Sequence, residues 1–270
     1  MNQISTRRAF RAAPRNGRDG RLLAIASGKG GVGKTMLATT LAHAFARGGE
    51  KTLLFDGDLG LANIDIQLGL APTRDLSDVL GGRIALADAV LRQPVTDAPL
   101  LDIVVGASGS GNLAALVPAR LEALLDELVA LAAGYRVAVL DLAAGLERSM
   151  RAIAARADTV LIVTTGDPTA LTDAYACLKV LSLRDPTIDA RIVVNHVGGR
   201  DEGQRVYDTL LRAAQTFLKL SPPLAAIVRT DRHVADAIRA QMPLLVRHPN
   251  TDAAADVERL AGTLASETLT

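Results

Sequence analysis

The chain has 270 residues, 49% of them apolar, a formal net charge of +1 and a single cysteine, Cys177. That is enough apolar matter for one sizeable core, yet no apolar run reaches the roughly 18 residues that a membrane span needs. Near-neutral charge argues against a strongly basic nucleic-acid binder, one cysteine closes no intramolecular disulfide, and MNQISTRR lacks the apolar stretch of a secretory signal, so a cytoplasmic protein is expected.

Along the chain, residues 1–20 hold five arginines and little to bury, and are expected to form a flexible basic arm. Residues 21–270 are expected to form a single domain. Its strands are short apolar runs: LLAIA (22–26), TLLFD (52–56), LDIVV (101–105), VAVLD (137–141), TVLIV (159–163), ARIVVN (190–195) and LAAIV (224–228). Such runs suit strands buried on both faces. Between them apolar residues recur at helical spacing, as in Leu121, Leu124, Leu125 and Leu128 after Pro118, or Leu171, Tyr175, Leu178 and Leu181 after Pro168. Strand alternating with helix implies right-handed crossovers, and so an α/β fold with a doubly wound, mostly parallel sheet flanked by helices.

The first strand leads into Gly28, Gly33, Lys34 and Thr35, which satisfy the P-loop pattern G-x-x-x-x-G-K-[ST]. The helical stretch TMLATTLAHAFARGG follows, and its bare N–H groups and dipole favour an anion. Gly28, Gly30, Gly31 and Gly33, with Val32 among them, let the backbone wrap phosphates. Lys34 is expected to reach the β- and γ-phosphates and the Thr35 hydroxyl to ligate Mg²⁺. Lys29 adds a second cation with no phosphate in its own loop left to neutralise; the plain alternative is an ordinary exposed lysine.

The string SGKGGVGKT resembles the deviant Walker A loop of the MinD/ParA family of P-loop ATPases. The resemblance implies ATP as the nucleotide and an ATP-dependent homodimer in which Lys29 reaches the phosphates bound by the partner protomer. It also implies slow, partner-regulated hydrolysis to ADP and phosphate. Met36 stands where the family has a polar residue, which leaves its backbone donor for the α-phosphate.

The stretch FDGDLGLANIDIQLGL (55–70) begins where the second strand ends, so Asp56 and Asp58 lie at the carboxyl edge of the sheet beside the loop. It resembles the family's switch I, which implies that Asp58 orients the attacking water and Asp56 supports Mg²⁺ or the loop. Aspartates after strands also act as helix caps and turn formers. In VAVLDLAAGLER (137–148) an apolar strand ends at Asp141, the arrangement of an acid that holds the water shell of Mg²⁺. The Ala-Ala-Gly after it resembles switch II, with the Gly145 N–H sensing the γ-phosphate.

IVVNHVGG (192–199) occupies the place of the family's Asn-Arg motif, so Asn195 is expected at the purine edge, followed by His196 where arginine is usual. AIVRTDRHVADAIRAQMPLLVRHPN resembles the segment that closes over the base, with Arg229 in place of a proline. His196, His233 and His248 are too scattered to suggest a metal site.

Four further stretches, DLGLANIDIQLGL, DLSDVLGGRIALADAV (75–90), VVGASGSGNLAAL (104–116) and EGQRVYDTLLRAAQTFLKL (202–220), resemble the flagellar-number regulators, the FlhG/FleN branch. They are read as mostly helix and loop outside the phosphate site. The likeness runs from about Leu22 to Leu264, and implies partners among an SRP-type GTPase (FlhF-like), flagellar C-ring proteins and a flagellar transcription activator, with recruitment to a cell pole or the inner membrane face through them. The start departs from the branch's D-Q-A-x-x-L-R motif, keeping Gln3 and Arg8 in register. At the end, Val257, Leu260 and Leu264 form one apolar stripe, but Asp252, Asp256, Glu258 and Glu267 face a single Arg259. Such a helix is repelled by anionic lipid, and packing on the body is expected. The alternative reading is a ParA-like partition ATPase, for which little basic surface exists outside the arm.

Overall fold

The computed structural model describes residues 20–106 and 117–267; residues 1–19 and most of the VVGASGSGNLAAL stretch lie outside the described residues. The seven apolar runs form β1 (Arg21–Ser27), β2 (Thr52–Gly57), β4 (Leu101–Val104), β5 (Val137–Ala144), β6 (Thr159–Thr164), β7 (Asp189–Val197) and β8 (Leu224–Arg229). An eighth strand, β3 (Val90–Arg92), starts at the last residue of the stretch 75–90 expected to be mostly helix and loop, and is not among the seven expected strands. It is three residues long and pairs antiparallel with β4, so no extended apolar run marks it.

Among the described residues the eight strands form one sheet in the order β3-β4-β2-β5-β1-β6-β7-β8. Every pairing other than β3 with β4 is parallel. Along β1, Leu22, Ala24 and Ala26 join one apolar cluster and Leu23 and Ile25 the other, which is why the run has no polar interruption.

Helices α3 (Leu76–Leu80), α4 (Pro118–Ala132), α5 (Arg148–Ala154), α6 (Pro168–Arg184) and α7 (Arg200–Ala213) supply the first cluster. The expected stripe of α4, Leu121, Leu124, Leu125 and Leu128, is buried as a unit. Prolines at the start of α4 and α6 fit a first turn whose N–H groups have no helical partner. Asp167 caps α6 by accepting from Thr169 N. Cys177, on α6, is fully buried.

The opposite face carries α1 (Lys34–Arg47), α2 (Ile64–Leu68), α8 (Arg232–Arg239), α9 (Leu244–Arg247) and α10 (Asp252–Ser266). Val257, Leu260 and Leu264 of α10 are at most 2% exposed, in the layer it shares with α1 and β8. Each such side chain contributes roughly 2 kcal/mol on burial, which keeps the C-terminal helix on the body. No helix among the described residues is long and apolar enough to cross a membrane.

Candidate functional site

Between β1 and α1 the chain makes a loop that only glycine allows at two points. A Cβ on Gly28 would lie 2.2 Å from the Asp173 carbonyl oxygen of α6. Gly33 has φ +91°, and a Cβ there would lie 2.3 Å from Asn195 Nδ2. Gly33 also precedes the first turn of α1 without a side-chain cap, so the N–H groups of that turn are not satisfied by a capping side chain.

Parallel register brings the acids to this loop. Asp141 on β5 sits opposite Ile25 of β1 and Asp56 of β2, so the two acids lie side by side in register beneath the loop; β5 runs on to Ala144 and does not end at Asp141 as the apolar run suggests. Lys34 is buried there; desolvation lowers its pKa, against the pull of Asp141 and Asp58. Burial pushes the Asp141 carboxyl up to about 7, against the lowering influence of the nearby Thr35 hydroxyl. Its Oδ1 is buried with no hydrogen-bond partner. An orphaned carboxylate oxygen beside a threonine hydroxyl is a hard oxygen set that suits Mg²⁺ with part of its water shell.

Asp56 is equally buried, which raises its carboxyl to about 6, but both its oxygens are engaged. Oδ1 accepts from Asp58 N at 3.1 Å, and Oδ2 from Asn63 N and Ile64 N at 3.1 and 3.2 Å. Of the two roles expected for Asp56, the geometry displays loop support. Asp58, half-buried, accepts from Gly60 N and Leu61 N through Oδ1. The second stretch of this loop is tied down on both sides: Gln67 donates to Thr39 of α1, and Gln241 to the Ile66 carbonyl.

The other expected residues divide. Gly145, at φ +96°, donates its N–H to the Ser27 carbonyl at 3.0 Å. Met36 is buried, and its sulfur accepts from the Thr40 hydroxyl. Asn195 donates Nδ2 to the Val32 carbonyl at 2.8 Å across 163 positions of sequence, bracing the loop, while its buried Oδ1 has no partner. His196 follows at φ +57°, and desolvation lowers its pKa, so it is neutral near pH 7 where an arginine would be charged. Arg229 is not brought to the loop by its side chain: the guanidinium pairs with Asp256 and Asp252 of α10 at 2.8 and 2.6 Å.

Lys29 lies on the exposed rim. Its ammonium pairs with Asp167 at 3.1 Å and with the Thr169 hydroxyl, at the start of α6. The Thr169 hydroxyl, which donates to Asp167 at 2.8 Å, then Lys29 and the Thr169 N–H pull the Asp167 carboxyl down to about 2. Asp167 and Thr169 escaped the sequence reading, although Asp-Pro-Thr opening an apolar-periodic run is a cap signature. A cleft of about 360 Å³ opens here, lined by Lys29, Gly30, Gly31, Asp167, His196 and Glu202. A concavity of about 400 Å³ between α1 and α10 is lined by alanine and glycine together with Phe45, Arg47, Glu50 and Glu258, and includes none of the P-loop residues or Asp56, Asp58 and Asp141.

Residues 23–244 match the family profile described as the CobQ/CobB/MinD/ParA nucleotide binding domain. The chain is 34% identical to the antiactivator FleN of Pseudomonas aeruginosa, over 86% of this chain and 81% of that one. It is 30% identical to the flagellum site-determining protein YlxH of Helicobacter pylori, over 92% and 82%. Among solved structures, the cell division ATPase MinD of Pyrococcus furiosus superposes with a TM-score of 0.77 at 25% identity, over 92% and 99% of the two chains. MinD of Pyrococcus horikoshii, complexed with Mg-ADP, gives 0.75 at 25% identity, over 91% and 96%. A P-loop, acids in register on neighbouring strands and a match along most of its length make this chain a member of the MinD/ParA family of nucleotide-binding proteins.

Proposed function

We propose that the protein is an ATP-operated switch that dimerises around bound nucleotide, hydrolyses it slowly to ADP and phosphate, and thereby times the binding of a partner in the control of flagellar number and placement. The observation that carries this is the meeting of Lys34, Thr35 and Asp141, with Asp58 within electrostatic reach of Lys34, under one glycine loop. Lys34 and the N–H groups opening α1 take the phosphates. Bound Mg²⁺ would supply charge neutralisation to the phosphates. Asp141 and Thr35 offer it oxygens, and Asp58 orients water in line with the γ-phosphate.

Lys29 supplies its charge to the partner protomer's nucleotide, having first left Asp167 and Thr169. Both members of that pair are well exposed, so the contact is easily exchanged. Closing two protomers on two nucleotides links ATP affinity to self-association. FleN and YlxH favour the flagellar reading, and partners of the same class are expected: an SRP-type GTPase, C-ring proteins or a transcription activator. The packed α10 favours recruitment through such partners over direct membrane contact.

The test uses sizing in solution. Asp58→Ala protein, which keeps ATP intact, is expected to elute as a dimer with ATP and Mg²⁺ and as a monomer with ADP. Adding Lys29→Ala is expected to hold it monomeric while nucleotide affinity changes less than about threefold. Asp58→Ala protein that binds ATP and stays monomeric rejects the switch. A pull-down with the ATP-held dimer then separates flagellar components from DNA.

A further inference from the structure

Strand order gives the ligand site a direction. Asp56 and Asp58 stand at the end of β2 and Asp141 lies three residues before the end of β5, on one side of the loop that follows β1; β6, β7 and β8 stand on the other. Triphosphate and metal belong with the buried lysine and acids, so the nucleoside extends toward the ends of β7 and β8. There Asn195 holds the Val32 carbonyl, and His196 Nε2 comes 3.3 Å from where a Cβ on Gly33 would be. One residue on, Val197 is in register with Arg229, and its carbonyl accepts from Thr230 N at 2.8 Å.

The segment Arg229 to Asp231 is in turn fastened to the C-terminal helix by two carboxylates pointing in opposite directions. Asp256 of α10, with a fully buried side chain, accepts from Arg229 three times: from its backbone N at 3.1 Å, Nε at 2.8 Å and Nη2 at 3.0 Å. Arg259 adds a bond at 3.0 Å, and Arg200 of α7 stands 3.6 Å away. Asp231 accepts from Ala253 N of α10 at 3.4 Å and, with its other oxygen, from His233 N at 2.9 Å, capping α8. A bidentate guanidinium held by a desolvated carboxylate fixes orientation more firmly than an exposed pair does. Three contacts thus lead from α10 to the phosphate loop: Asp256 to Arg229, Arg229 to Val197 beside His196, and Asn195 to Val32.

We infer that Asp256 is a positioning residue for nucleotide binding: from α10 it fixes the segment Arg229–Asp231 at the nucleoside side of the loop, so that seating of the C-terminal helix sets affinity for the nucleoside and not for the phosphates. The inference rests on the nucleotide reading above. It accounts for the arginine at position 229, whose side chain serves the helix and not the ligand. A merely structural Asp256 would loosen α10 without distinguishing one part of the ligand from another.

The experiment compares Mg-ATP with Mg-tripolyphosphate, which has the phosphates and lacks the nucleoside. In Asp256→Asn, ATP is expected to bind about tenfold more weakly while tripolyphosphate changes less than about twofold, and KM for ATP rises with kcat unchanged. Arg229→Ala keeps the backbone bond to Asp256 and is expected to show the same pattern at about threefold. If Asp256→Asn fails to fold by far-UV circular dichroism, Arg229→Ala carries the comparison. Unchanged ATP affinity in a folded variant, or equal weakening of both ligands, overturns the inference. Wild-type protein that binds neither ligand overturns the nucleotide reading with it, whereas wild-type binding of both with inert variants removes only the role of Asp256.

Discussion

On the β2–β5 side of the phosphate loop, charged groups are buried and left incomplete: Lys34 is desolvated, Asp141 is raised to about 7, and one of its oxygens has no partner. On the β7–β8 side the buried charge is closed, with the Asp256 carboxylate surrounded by Arg229, Arg259 and Arg200. Incomplete charge in a cleft costs stability and is reserved for a ligand; closed charge holds elements in place. The two sides therefore predict different outcomes when charge is removed.

The largest effect is expected at Lys34. Lys34→Ala should lower ATP hydrolysis by about 100-fold or more, with secondary structure intact, because the cation serves the phosphates. An ATPase rate within about tenfold of wild type would place Lys34 on the structural side of the contrast. A middle effect concerns pH. Asp141 and Asp56 hold their protons to about 7 and about 6 in the native state, against 3.8 for the ordinary carboxyl. As pH rises from about 5 to about 8 the unfolded chain binds fewer protons than the native one, so stability without nucleotide should fall, by on the order of 5 °C in Tm. Asp141→Asn should flatten that slope; a Tm that climbs over this range would break the assignment. The smallest effect sharpens the boundary between the two sides. His196→Arg restores a permanent charge at the loop's nucleoside edge and should tighten ATP by no more than about threefold in a fluorescent-nucleotide titration.

Legibility in the sequence follows the same divide. The P-loop spacing and seven of the eight strands could be read because each is a local pattern, a glycine spacing or an apolar run; that β5 goes on past Asp141 to Ala144 could not. The short β3 could not, since three residues give no periodicity and its pairing with Leu101–Val104 is made by the fold. Asp56 was read for two roles, and the loop-supporting one depends on which N–H groups the turn aims back at it. Asn195 was expected to face a base, yet its amide nitrogen braces Val32, a contact no local pattern encodes. Arg229 was expected at the nucleotide, and its attachment to Asp256 depends on α10 returning to lie beside β8. Tertiary ion pairs between distant elements leave no spacing to read.

The sulfur of Cys177 has a practical consequence for watching protomers meet. Enclosed within α6 and raised to about 12 by desolvation, it has essentially no thiolate at working pH and is inert toward maleimides and mild oxidants. A cysteine introduced on the rim of the loop would then be the sole reactive thiol among the described residues. One dye per chain can be attached without first stripping out the natural residue, and energy transfer between labelled copies can follow their approach as nucleotide is added.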